Sequence, residues 1–208
     1  MTSNNEENDM AGSDRFDDAM AQLDALHAQD PRMEMVDGED VPYELLYAQR
    51  MSNWLERLKP DAGETLQLAV RAQHLKRWEV PRDSYPMDRP GYHAWRTGLK
   101  TRQAQMAADV LRQAGYNEAD CDRVAALVRK EDLKNDEETR ALEDAACLVF
   151  LQDYYGPFAA EHDDDKVIGI LRKTLRKMSA EGHRLAGEIP LEGRASILLE
   201  KAVAMETT

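Results

Sequence analysis

Residues 142–151 read LEDAACLVFL, and after Asp144 the run is apolar whichever way a helix is turned. A helix that is hydrophobic on all sides has to be buried, so this segment is expected in the core, as part of a helix from about Asp136 to Tyr155. Nothing in it alternates with period two, and β-branched residues are sparse both here and along the chain. Downstream, Asp163 is placed to cap a helix carrying Val167, Ile168, Leu171, Leu175 and Met178. One or two short helices then close the sequence.

Upstream the pattern is helix upon helix. Ser13 is expected to cap a helix bearing Phe16, Met20, Leu23 and Leu26, which ends before Asp30-Pro31. A loop containing Asp37-Gly38 follows. Tyr47, Met51, Trp54, Leu55 and Leu58 share one helical face, stopped by Pro60. Asp61 with Glu64 reads as a capping box for a helix running through Leu66, Ala69, Val70, His74 and Arg77. After an irregular stretch from Glu79 to Pro90, Pro90 opens a helix with Tyr92, Trp95, Leu99, Met106, Val110 and Leu111, closed by Gly115. Asn117 caps a shorter helix with Val124, Leu127 and Val128. The expectation is an all-α protein: a single-domain orthogonal helical bundle over residues 13–205, preceded by a disordered acidic stretch, 1–12.

Composition limits what such a bundle can do. The chain has 208 residues and a formal net charge of −13, which disfavours nonspecific nucleic-acid or membrane binding by the surface as a whole. No run approaches the roughly 20 apolar residues of a membrane-spanning helix. The polar, acidic start lacks a signal-peptide pattern. Cys121 and Cys147 are far apart inside helical patterns and read as buried free thiols of a reducing cytoplasm. The expected location is cytoplasmic; the sequence assigns no oligomeric state.

Against that acidic background, residues 71–102 (RAQHLKRWEVPRDSYPMDRPGYHAWRTGLKTR) form a basic, aromatic-studded island. It holds eight cations to three anions, with two of the three tryptophans and two of the five histidines. Clustered like charges repel, so their retention points to a local anionic ligand. Arginine adds a planar fork that grips phosphate or carboxylate bidentately. Arg77, Arg82, Arg89 and Arg96 are spread over a helix end, a loop and a helix start, where the N–H groups beyond Pro90 would add to anion binding. The alternative is that these cations pair with the excess carboxylates as a structural network. The expected substrate-binding set is Arg77, Trp78, Arg82, Arg89, Tyr92, Trp95, Arg96, Lys100 and Lys130.

His74 is the chemical centre of the island, since imidazole titrates near neutrality and can serve as base, acid or ligand. It reads equally as a half-buried histidine hydrogen-bonded for structural reasons. Asp144, with Glu143 beside it, opens the apolar run, and a carboxylate there must be paired or capping. As function, Asp144 would orient His74. As structure, it would complement the helix dipole and take a salt bridge. His162-Asp163-Asp164-Asp165 lacks the ligand spacing of a calcium loop and reads as structural. His27, His93 and His183 show no evident partners in the sequence. Nucleotide-binding glycine motifs, the zincin helix and the serine elbow are absent.

The stretches 45–58 (LLYAQRMSNWLERL), 68–96 (LAVRAQHLKRWEVPRDSYPMDRPGYHAWR), 142–151 and 162–179 (HDDDKVIGILRKTLRKMS) resemble the domain-of-unknown-function family 4202, over about residues 15–204. That likeness implies no activity. A more distant one does: a histidine ending L-A-x-x-A-x-H and an aspartate opening an apolar helix are similar to HD-domain phosphohydrolases. These hold one or two divalent metals that activate water against a phosphoester. The resemblance implies that His74 matches the histidine of the His-Asp doublet and Asp144 the distal aspartate. The doublet's aspartate is Leu75 here, and Gln49 and Arg50 stand where a first histidine would fall. The divalent-metal motif is thus incomplete, and no metal ligand is assigned.

The leading expectation is an HD-like hydrolase or related enzyme acting on a small phosphorylated or carboxylated metabolite, with His74 and Asp144 as catalytic residues. The alternative is a non-catalytic anion- or nucleotide-binding regulatory module. RNA binding through Arg, Trp and Tyr stacking ranks below both because of the net charge.

Overall fold

Helical periodicity accounts for most of the backbone in the computed structural model, which describes residues 3–206, with side chains from residue 14 onward. The all-α expectation holds: among the described residues the sheet content is one two-stranded hairpin. Within the all-α fold two compact units can be distinguished. One comprises Met1–Ser52 with Ala62–Glu131, the other Asn53–Asp61 with Asp132–Thr208.

In the first unit, α1 (Ser3–His27) begins ahead of the expected cap, so Ser13 lies within the helix. The expectation of disorder over 1–12 falls on residues whose side chains lie outside those described. Asp24 on α1 grips Arg71 with both oxygens, at 2.6 and 2.7 Å. The Asp37-Gly38 segment, read as a loop, is the turn of a hairpin between β1 (Met33–Val36) and β2 (Glu39–Pro42). Both turn residues have positive φ (52° and 88°), as the tight hairpin turn requires, and glycine takes the second at little cost. Strands four residues long with little β-branching left the hairpin invisible to pattern; Asp-Gly was its one signal.

α2 (Tyr43–Leu58) is capped from a distance, its Glu44 N–H donating to buried Asp30 at 3.1 Å. α3 (Glu64–Arg71) starts at Gly63 without a side-chain cap, so the expected box of Asp61 and Glu64 does not form. Glu64 instead accepts from Tyr116 Oη at 2.8 Å and from Arg15 at 3.2 Å. α4 (Arg89–Gln113) packs along α5 (Glu118–Arg129), and α5 also meets α3. Gly91 is required at the start of α4, because a Cβ there would sit 2.1 Å from the Pro86 carbonyl oxygen. Leu66, Leu68, Leu111 and Leu127 are fully buried, each contributing about 2 kcal/mol of apolar transfer.

The second unit is built on α6 (Glu137–Val149), whose cap Asp136 accepts from Glu138 and Thr139 N–H at 3.0 and 3.2 Å. The apolar run is buried as expected, with Leu142, Ala145, Leu148, Val149 and Leu151 fully inaccessible. The helix continues through a π-turn over Phe150–Tyr154 into α7 (Tyr155–Glu161). Pro157 has no N–H to give the carbonyl four residues back, and the wider register accommodates that loss. α8 (Asp164–Leu175) is capped by Asp163, as expected, and packs along α10 (Gly193–Ala204); α9 (Ala180–Ala186) packs on α6. Among the described residues no helix is long and apolar enough to cross a membrane.

Candidate functional site

The expected helix through Arg77 stops six residues early, and that interruption builds the site. Ala72–Lys76 has no helix-breaking residue, so local preference does not end α3. Tertiary partners do. His27, fully buried on α1, donates Nε2–H to the carbonyl of Arg71 at 2.9 Å, taking one of the acceptors a helix end leaves open. A carbonyl can only accept, so Nε2 carries the proton; burial lowers the His27 pKa and keeps the ring neutral. His74 and Lys76 then adopt left-handed backbone, with φ of 66° and 47°. Such a conformation is costly for a non-glycine residue and persists where surroundings over-determine it.

Those surroundings are specific. The His74 ring stacks on Tyr47 with centroids 4.2 Å apart and planes 13° from parallel. Its Nδ1 lies 3.2 Å from Glu44 Oε2. Arg77 NH1 is 3.1 Å from Nε2 and 3.5 Å from Nδ1, a near-equality that sets the guanidinium over the ring rather than in line with one lone pair. Glu44 and Tyr47, three residues apart on α2, thus meet one imidazole from one helical face.

His74 opens into a cavity of about 120 Å³ lined also by Arg77, Trp95, Arg96, Lys100, Gln103 and Lys130. α4 contributes positions 95, 96, 99, 100 and 103, a single helical face. Lys130 comes from the C-cap of α5, again in left-handed backbone (φ 58°). Trp95 donates Nε1–H to the Val80 carbonyl at 2.9 Å, which ties the intervening segment to α4. Arg77 lies 5.2 Å over the Trp95 ring. Cations therefore reach the cavity from three elements: the turn after α3, α4 and α5.

The charges act on His74 together. Burial, then Arg77, Lys130 and Arg96, pull its pKa well below the ordinary histidine value, so the imidazole is neutral at pH 7. Burial pushes Glu44 the other way, up to about 7, while Arg77 moderates the rise. The pair holds a neutral acceptor beside a carboxyl that titrates near neutrality.

A pH prediction follows from Glu44. Its folded pKa exceeds the free value of 4.5, so the folded state binds the proton more tightly. The stability this contributes is complete below about pH 4.5 and is lost as pH rises to about 7. The loss is on the order of 3 kcal/mol. His74, with a lowered pKa, pulls oppositely below pH 6.5. Comparing wild type with Glu44→Gln isolates the carboxyl: the variant's melting-temperature advantage should be larger at pH 8 than at pH 5. A difference unchanged with pH would contradict the assignment.

The island's eight cations sort into distinct roles. Arg77, Arg96 and Lys100 line the cavity. Arg71 pairs with Asp24, and Lys76 and Arg102 with Glu79. Arg82 organises its loop, donating to the carbonyls of Tyr85, Pro86 and Asp88 at 3.1, 2.7 and 3.1 Å. Arg89 is exposed in the first turn of α4, and Asp88 caps that turn by accepting from Gly91 N–H at 2.7 Å. A carboxylate already occupies the helix start that was expected to attract an anion. Trp78 is half-buried beside Arg77 but outside the cavity lining, and Tyr92 is exposed, accepting from Arg96 at 3.2 Å.

The carboxylate within reach of His74 is Glu44, whereas Asp144, expected to orient that ring, has other partners. Asp144 belongs to the second unit, where it is 2 % exposed and accepts from Ser179 N–H at 2.9 Å and Ser179 Oγ at 2.5 Å. Its neighbour Glu143 pairs with Lys177 at 3.2 Å. His183 donates to the Leu175 carbonyl at 2.8 Å, and the His162 ring lies against Phe158, tilted by 45° with centroids 4.4 Å apart. Both cysteines are buried and neither is in a disulfide.

Metal chemistry of the HD type does not fit these residues. His74 stands among cations, and Leu75, at the doublet's aspartate position, is fully buried in the core. Among the described residues no cluster of three His, Cys, Asp or Glu side chains is placed to hold a metal ion.

Sequence reasoning missed Glu44 and Gln103. Glu44 had a legible signal, one turn ahead of Tyr47 on the same face. Gln103 had one too, seven residues after Arg96 and three after Lys100, on the face α4 turns to the cavity. Among curated proteins and among solved structures, nothing matches the chain. The family described as domain of unknown function (DUF4202) matches residues 17–199, so the chain belongs to that family.

Proposed function

We propose that the first unit binds a small phosphorylated or carboxylated metabolite and transfers a proton on it, as a hydrolase or related acid–base enzyme would. The observation that supports this reading is the convergence of Arg77, Arg96, Lys100 and Lys130 with a neutral imidazole on one cavity of about 120 Å³. Sites for drug-sized ligands run to roughly 300–1,000 Å³, so this one suits a single anionic group with few further atoms. The cations hold the anion, and His74 takes a proton from a water as its oxygen bonds to the phosphorus or acyl carbon; the imidazolium returns that proton to the oxygen whose bond to that atom breaks. Glu44 keeps the ring oriented and steadies the imidazolium that forms. The buried free thiols fit a reducing, cytoplasmic setting.

The test is anion-dependent melting of the full chain. A ligand at a hundredfold its Kd stabilises by about 2.7 kcal/mol, or roughly 5–10 °C for a protein this size. Inorganic phosphate or small carboxylates should produce such a rise in wild type. The double charge reversal Arg96→Glu/Lys130→Glu should abolish it. A wild-type melting temperature indifferent to every anion tried would overturn the reading.

A further inference from the structure

Gln103 is 5 % exposed, it lines the cavity, and its Nε2 makes no hydrogen bond within the protein. Leaving a buried donor unsatisfied is costly, because it loses its water without gaining a partner. Its neighbour Gln73, equally buried, spends its amide on the Ala69 carbonyl at 3.1 Å. Gln103 thus offers the cavity a neutral donor, alongside four cationic side chains that can only donate.

We infer that Gln103 is a ligand-recognition residue and that the cavity takes a phosphoryl dianion rather than a carboxylate. This inference rests on the anion-site reading above and narrows it. Two observations carry it. First, donors reach the cavity from three elements and therefore from several directions. A carboxylate offers lone pairs in one plane, whereas a phosphoryl group directs three oxygens tetrahedrally. Second, Arg77, Arg96, Lys100 and Lys130 place four positive charges around the space of one small group. A phosphate monoester, at about −1.5 to −2 near pH 7 with three acceptor oxygens, offsets more of their mutual repulsion than a single carboxylate can. The Gln103 amide then adds a donor without adding charge, which suits an oxyanion with an acceptor left over after the cations are satisfied.

The experiment titrates the full chain with inorganic phosphate and, separately, acetate. It uses wild type, Gln103→Leu and Gln103→Glu and follows binding by calorimetry and melting temperature. Wild type should bind phosphate at least about tenfold more tightly than acetate. Gln103→Leu should weaken phosphate binding about tenfold, the scale of a lost hydrogen bond to a charged group. The same variant should melt no lower than wild type without anion, because it removes an unsatisfied donor. A merely structural glutamine would not show that opposition. Gln103→Glu should abolish phosphate binding. If phosphate binds and both Gln103 variants bind it like wild type, the role of Gln103 is overturned while the anion site stands. Equal binding of acetate and phosphate by wild type overturns the phosphoryl assignment. If wild type binds neither anion, this inference falls together with the reading beneath it.

Discussion

A His74→Asn variant is expected to lose turnover by a factor of roughly 10²–10⁴, the usual contribution of a positioned general base. Asparagine is the informative replacement because His74 has a φ of 66°, and asparagine tolerates left-handed backbone better than most residues. An alanine would mix the loss of the imidazole with added backbone strain. The asparagine amide can still reach toward Glu44, so the melting temperature should fall by no more than about 4 °C. Phosphate should still raise it, since Arg96, Lys100 and Lys130 are untouched. The measurement is orthophosphate release from a panel of small phosphomonoesters, with melting curves in parallel. Turnover that survives in His74→Asn would remove His74 from the chemistry. A wild type that binds phosphate yet turns over no substrate would leave a binding module without catalysis.

Asp144→Ala is expected to do the reverse. The residue is almost fully buried, and Ser179 donates to it from both N–H and Oγ, so truncation orphans two donors at the start of α9. Each buried unsatisfied group costs about 1–3 kcal/mol, so a loss of about 3–4 kcal/mol and a melting temperature lower by about 10 °C should follow. Phosphate affinity measured well below the transition should stay within about twofold of wild type, because the residues lining the His74 cavity all belong to the other unit. A selective loss of phosphate binding with unchanged melting would restore Asp144 to the functional role its position first suggested. The contact is close: a Cβ on Gly182 would lie 2.6 Å from Asp144 Oδ1, so this α9 glycine is part of the same packing.

The sequence showed the helices because their cause is local. Apolar spacing at 3.6 residues per turn, Asn117 and Asp163 at caps, and Gly115 at a helix end are all short-range signals, and each is used as read. The charge anomaly of residues 71–102 was equally legible, and several of its residues line the cavity. Which of its cations serve the site was not legible. Arg82 and Arg96 look alike in sequence, yet one holds loop carbonyls and the other lines the cavity.

The same limit explains the two carboxylates. Asp144 drew attention because a charge before an apolar run is conspicuous, and Ser179, 35 residues away, satisfies it. Glu44 looked like an ordinary first-turn acid, yet it meets His74 across 30 residues of chain. Periodicity, caps and local charge are fixed by neighbours within a turn or two, so the amino-acid order sufficed for the all-α class and for marking out a candidate site. The break after α3 depends on groups far apart in the chain: His27 on the Arg71 carbonyl, and Tyr47 and Glu44 on His74. Those long-range contacts hold a strained backbone that no local preference would select, and through it they choose which residues share one cavity.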